Sequence, residues 1–155
     1  MKNIQNSILI FLISAGLNLQ AQPASDRIIF HYLKLSSALS KSDFKKAGHQ
    51  AQQLSQACEK SGIAGLAETS KSMANAGDLS RLRDLFSPFS DSLALSIQSG
   101  RIQPAEDLFI VHCPMAFNDQ GADWVSDEAK VINPYFGDEM LHCGKVKATL
   151  KAKSK

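Results

Sequence analysis

The chain has 155 residues, a formal net charge of +2 and 44% hydrophobic residues. That length suits one ordinary domain with a single core, and the near-balanced charge gives no global attraction to nucleic acid or to an anionic membrane surface. Binding partners must therefore be sought in local features.

The opening stretch "MKNIQNSILIFLISAGLNLQAQ" has one early lysine, an apolar run from Ile8 to Leu19 and a small residue at Ala21. It predicts a cleaved secretory signal peptide over residues 1–21, too short to span a bilayer. A single mature domain over 22–155 follows, with no membrane insertion once the signal is removed. Export points to the periplasm, an oxidising compartment in which neighbouring thiols pair unless a metal or a reductant protects them.

Behind the start "PASD", Ile28, Ile29, Tyr32, Leu35 and Leu39 recur at helical spacing and predict a first amphipathic helix. A second begins with Ser42 as its cap and Asp43 in its first turn. It carries Phe44, Ala47, Ala51, Leu54 and Cys58 on one stripe and ends at Gly62. A weaker third helix covers about 64–76. The strongest stripe, Leu82, Leu85, Phe86, Phe89, Leu93 and Ile97, runs from Gly77-Asp78 to Gly100, with Pro88 inside it predicting a kink or break near Phe86. Beyond Pro104 the texture changes to short apolar runs such as "LFIVH" and turn-rich segments such as "NDQGAD" and "INPYFGDE". The final "KVKATLKAKSK", with five lysines, reads as a solvated basic end. The predicted fold is therefore mainly α. A bundle of about four helices over 24–103 precedes a compact, loop-rich C-terminal cap over 104–150 with room for short strands.

Two of the three cysteines lie in that cap, each close to a methionine: "HCPM" holds Cys113 and Met115, and "MLHC" holds Met140 and Cys143. Pro114 biases Cys113 toward extended geometry, which sets Cys113 and Met115 on one side of the chain, while a three-residue spacing sets Met140 and Cys143 on one face of a helical turn. Thiolate and thioether donors are soft and favour Cu(I) or Ag(I), with His112 as a borderline nitrogen ligand. Zinc fits less well, because two "HC" pairs about thirty residues apart do not match zinc-finger spacing.

The competing reading uses the same two cysteines. A Cys113–Cys143 disulfide would close a loop of about thirty residues and contribute roughly 3 to 4 kcal/mol by chain entropy. Spacing alone leaves both readings open. Cys58, on a helical stripe, reads as a small buried apolar residue, and His31 and His49 as surface or satisfied histidines. A Cys113 nucleophile with His112 or His142 as base lacks an evident orienting group, so no enzyme activity is expected. Trp124 and the pair Tyr135-Phe136 read as the core of the cap.

The segment "HCPMAFNDQGADWVSDEAKVINPYFGDEMLHCG" closely resembles the signature of an uncharacterised secreted bacterial family. This domain of unknown function occurs alone, or beside or fused to periplasmic adaptor subunits of heavy-metal efflux pumps of the copper and silver type. The stretch "YLKLSSALSKSDFKKAGHQAQQL" looks like that family's opening helical segment. The matching cap positions are Cys113, Pro114, Met115, Gly121, Ala122, Trp124, Asn133, Pro134, Tyr135, Phe136, Gly137, Met140, Leu141, Cys143 and Gly144. His142 and Cys58 are not among them. The resemblance implies a mainly helical domain with a cysteine- and methionine-bearing cap, linked by context to soft-metal handling. Joined to the two sulfur pairs, it gives the first expectation: a periplasmic protein that captures Cu(I) or Ag(I) with Cys113, Met115, Met140 and Cys143 and passes it to an export system through an efflux-pump adaptor. His112 is an added ligand in that expectation, outside the matching positions. The second expectation is a disulfide-clamped interaction module that docks on such an adaptor without touching metal.

Overall fold

The structure, a computed structural model, describes residues 24–152. The expected signal peptide over 1–21 lies outside the described residues. The fold is mainly α. Four long helices, α1 (Ala24–Ser40), α2 (Phe44–Ser61), α3 (Ala64–Ala74) and α4 (Leu79–Gln98), precede a small antiparallel sheet of β1 (Leu108–Cys113), β2 (Ala122–Ser126) and β3 (Lys145–Leu150). No helix among the described residues is long and apolar enough to cross a membrane.

The apolar stripes become the core. Ile28, Tyr32, Leu35 and Leu39 of α1 are buried, as are Ala47, Ala51, Leu54 and Cys58 of α2 and Leu82, Phe86, Phe89 and Leu93 of α4. Asp78 caps α4 by accepting the Arg81 N–H at 2.8 Å. At α2 the cap is Asp43, which accepts the Lys46 N–H at 3.0 Å, and not Ser42. Ser42 stands one residue earlier in a left-handed conformation, φ 52°, and makes the turn out of α1. The acidic side chain therefore takes the position that satisfies the free N–H groups of the first turn.

Where a kink or break is expected near Phe86, the helix α4 is unbroken and runs on through Pro88. Pro88 cannot donate to the Asp84 carbonyl, but both residues lie on the exposed side of α4, where water can serve that oxygen. Opposite them, Phe86 and Phe89 stay in register with the core.

In the sheet β1 is central, between β2 and β3. Ile110 pairs with Ala148 and Val111 with Val146, which leaves Lys147 in a bulge. The basic segment expected to be a solvated end is thus an edge strand through Leu150, and Lys145 and Lys147 discourage further pairing along it. Asp107, just before β1, accepts the Ala152 N–H and the Lys151 ammonium, both at 2.8 Å, and ties down the end of that strand. At the other edge, two tyrosine hydroxyls serve β2: Tyr32 Oη accepts the Val125 N–H at 2.9 Å, and the Tyr135 hydroxyl donates to the Asp123 carbonyl.

Aromatic rings join bundle to cap. Tyr32 stacks on Phe86 and Phe89, while Tyr135 meets Phe86, Phe117 and Trp124 edge-on. Arg83 adds a polar clamp. It donates to the Leu39 carbonyl at the end of α1, to Ser42 Oγ, and to the Pro134 carbonyl of the cap loop.

Candidate functional site

Chain direction alone would not bring Cys113 and Cys143 together; the sheet does. Cys113 ends the central strand β1, and Cys143 closes a turn just before β3, where its N–H donates to the Met140 carbonyl at 3.1 Å. Since β3 pairs with β1 and His112 stands opposite Lys145, the two cysteines fall side by side. Their sulfurs are 2.7 Å apart, closer than two unbonded thiols rest.

A buried asparagine holds the second half of the site. Asn133 Nδ2 donates to the Cys143 carbonyl at 2.8 Å, and its backbone N–H donates to the Leu141 carbonyl at 2.7 Å. Its Oδ1 accepts the N–H groups of Tyr135 and Phe136. All these polar groups lie inside the cap, so Asn133 fixes the course of the chain from 133 to 143. Gly144 then allows close approach. At φ 141° it occupies a conformation that side-chain-bearing residues rarely adopt, and a Cβ there would come within 3.0 Å of both the His112 carbonyl and the Trp124 ring.

The two cysteines differ in exposure. Cys113 is 0% exposed, whereas Cys143 is half-buried and lines a cavity of about 350 Å³ with His112, Pro114, Gly144 and Lys145. Burial and the adjoining Cys113 sulfur push the Cys143 thiol above its ordinary pKa, partly opposed by a hydrogen bond from the Met115 N–H. The loop after Cys113 is strained: Phe117, Asn118 and Asp119 all have φ between 53° and 61°. Three successive left-handed residues other than glycine each cost about 1–2 kcal/mol, and the turn they make carries the chain from β1 back to β2.

The remaining expected ligands are less convergent. Met115 is 46% exposed and its backbone has the turn geometry φ −89°, ψ −8°. It thus points to solvent while Cys113 points inward, contrary to the one-sided arrangement expected from Pro114. Met140 is half-buried and belongs to a tight turn after a single 3₁₀ turn, Gly137–Glu139 (η1). His112, next to Cys113 on a strand, is directed to the other face, where Nδ1 lies 2.6 Å from Asp123 Oδ1. Asp123 also takes the Lys147 ammonium at 2.7 Å. Burial alone would raise the Asp123 pKa, but the hydrogen bonds from Lys147 and His112 outweigh it and hold the carboxyl below the usual range. Among the described residues no three His, Cys, Asp or Glu side chains gather in a metal-holding cluster. The thiol pair is therefore the centre of the site.

Residues outside it behave as small core or satisfied groups. Cys58 is buried in the bundle and its thiol is pushed up to about 11 by that burial. His142 is exposed and sits 2.9 Å from the Val131 carbonyl through Nδ1, and His31 pairs with Gln50. Trp124 and Tyr135 are buried in the cap as expected. Sequence reading missed Asp123, Asn133 in its hydrogen-bonding role, and Lys147. The only signal for Asp123 was its position in the short strand facing His112, a pairing that needs the register.

No protein-family model, curated protein or solved structure matches this chain. The functional reading therefore rests on the geometry just described and on the sequence resemblance.

Proposed function

We propose that this chain is a periplasmic binding protein for a soft metal ion, Cu(I) or Ag(I), associated with heavy-metal efflux, and that Cys113 and Cys143 form the capture site in their dithiol state. The observation that carries this reading is the convergence of the two sulfurs, from opposite ends of the cap, beside an open cavity. Thiolates are the softest donors a protein offers, and metal binding displaces their protons. Two thiolates sharing one ion, at bonds of about 2.3 Å each, stand up to about 4.6 Å apart. The pair must therefore part by about 1 to 2 Å to admit the ion. Cys143 is half-buried, so its side chain can swing toward the cavity while Asn133 holds its backbone. Met115 and Met140 flank the pair in sequence and can add thioether donors as the loop adjusts. His112, expected as a further ligand, is held by Asp123 on the other face of the strand and is left out of the capture site in this reading. An efflux-pump adaptor is the receiving partner in this reading.

The test is a competitive Cu(I) titration of the reduced chain beside a Cys113→Ser, Cys143→Ser double variant. The proposal expects one tightly held ion in the first and a loss of at least about a hundredfold in affinity, some 2.7 kcal/mol, in the second. Equal affinities would remove it.

A second reading is favoured by the short sulfur separation itself: a disulfide-clamped interaction module that docks on an adaptor and holds no metal. Intact mass under non-reducing conditions separates the two. A permanent Cys113–Cys143 bond, indifferent to metal and to mild reductant, supports the clamp.

A further inference from the structure

The two sulfurs of the pair are unequally exposed. Cys113 is wholly enclosed at the end of the central strand, while Cys143 lines the roughly 350 Å³ cavity. Any molecule approaching from solvent reaches the Cys143 sulfur first, and the Cys113 sulfur waits 2.7 Å behind it. Asn133 anchors the Cys143 carbonyl and so holds that sulfur at the mouth of the cavity. The hollow is open to solvent, so a small molecule can reach the Cys143 sulfur there, and Lys145 at its wall adds a cationic group.

We infer that the cap is a thiol–disulfide exchange site for a low-molecular-weight disulfide, with Cys143 as the entry sulfur and Cys113 as the buried resolving sulfur. This rests on the same sulfur pair but not on metal capture. The Cys143 thiolate attacks one sulfur of the small disulfide. A Cys143–sulfur bond forms, the disulfide bond breaks, and one small thiolate leaves with the electron pair. The Cys113 thiolate then attacks the Cys143 sulfur, forming the Cys113–Cys143 bond and releasing the second small thiolate. The protein pair is oxidised by two electrons, the small disulfide is reduced to two thiols, and the two cysteine protons end on the departing thiolates. Run in reverse, a small thiol attacks at Cys143 and restores the dithiol.

The experiment exposes the reduced, metal-free chain to glutathione disulfide, quenches with acid and reads intact and peptide masses. The wild type is expected to form the Cys113–Cys143 bond with no lasting adduct. Cys113→Ser is expected to accumulate one glutathione on Cys143. Cys143→Ser is expected to take none on Cys113 until the chain is unfolded in denaturant. Modification of Cys113 in folded Cys143→Ser as fast as that of Cys143 in Cys113→Ser would overturn the inference, as would a stable glutathione adduct on the wild type. A second measurement needs no variant. Brief alkylation of the native reduced wild type should label Cys143 faster than Cys113 by on the order of tenfold or more, with buried Cys58 as internal control, and equal labelling contradicts the assignment. Cu(I) affinity is read separately, so either proposal can fail without the other.

Discussion

At the scale of single residues, a few buried polar groups set the geometry. Tyr32 is the clearest case. Its ring belongs to the apolar stripe of α1, and its hydroxyl bonds Ser90 on α4 and accepts the Val125 N–H of β2. Tyr32→Phe keeps the ring and leaves that N–H unpaired, so the variant should lose about 1–3 kcal/mol of stability in denaturant titration. Asn133 has the same standing in the cap. Asn133→Ala removes the bond to the Cys143 carbonyl and frees several backbone groups. The expected results are a similar destabilisation and a Cys113–Cys143 disulfide more readily reduced in a glutathione redox buffer, because the thiols are held together less firmly. An unchanged midpoint would show that Asn133 does not position Cys143. The sequence marks Tyr32 as core by its spacing and Asn133 only by the resemblance. It gives no hint of the hydroxyl's partner, which lies 93 residues away.

At the scale of elements, helices follow legibly from periodicity, and their boundaries depend on local chemistry. The three stripes of α1, α2 and α4 between 28 and 97 are read correctly except at Phe44, which is exposed at the start of α2, because a 3.6-residue repeat has one physical meaning in a chain of this size. The cap of α2 differs by one residue because Ser42 and Asp43 are both good caps, and only the turn out of α1 decides between them. Asp43 has a lowered pKa, caused first by the Lys46 N–H and then by the Lys46 side chain. A carboxyl depressed in the folded state adds stability that is present above its unfolded pKa and lost as pH falls through the folded value. Asp43→Asn keeps a capping oxygen without a charge. The stability difference between wild type and variant should therefore be constant above about pH 5 and shrink as the pH drops below about 4. Gly137 tests the junction between elements. At φ 59° a Cβ would lie 2.5 Å from Ser42 Oγ and 2.8 Å from Arg83 Nη2, inside the clamp that ties α1, α4 and the cap loop. Gly137→Ala should cost about 1–3 kcal/mol through backbone strain and the displaced guanidinium. The strands of the cap were less legible. "LFIVHC" is a short apolar run buried on both sides, and the lysines of β3 mask an edge strand as a basic tail.

At the scale of the whole molecule, one continuous buried cluster runs from α1 through α4 into β1, β2 and the 131–143 loop. Helices and cap should therefore unfold together. Far-UV circular dichroism, dominated by the bundle, and the fluorescence of Trp124, the chain's single tryptophan, should report one shared transition. Phe86→Ala, which removes the ring between Tyr32 and Tyr135, should lower both transitions equally, by about 3–5 kcal/mol. Two separate midpoints would divide the chain into independent units. The candidate site was half legible. Its residue types and the involvement of Cys113 and Cys143 follow from sequence, because sulfur donors are rare and paired here. Their meeting, the inequality of their exposure and the outward turn of Met115 depend on a register between β1 and β3 that no local pattern encodes. The central claim, that this sulfur pair receives a soft metal ion, is tested most directly by X-ray absorption at the copper edge of the reduced, Cu(I)-loaded chain. The predicted result is a first shell dominated by sulfur at about 2.3 Å that is lost in the Cys113→Ser, Cys143→Ser variant. A shell of nitrogen and oxygen, or a spectrum unchanged by the double substitution, would contradict it.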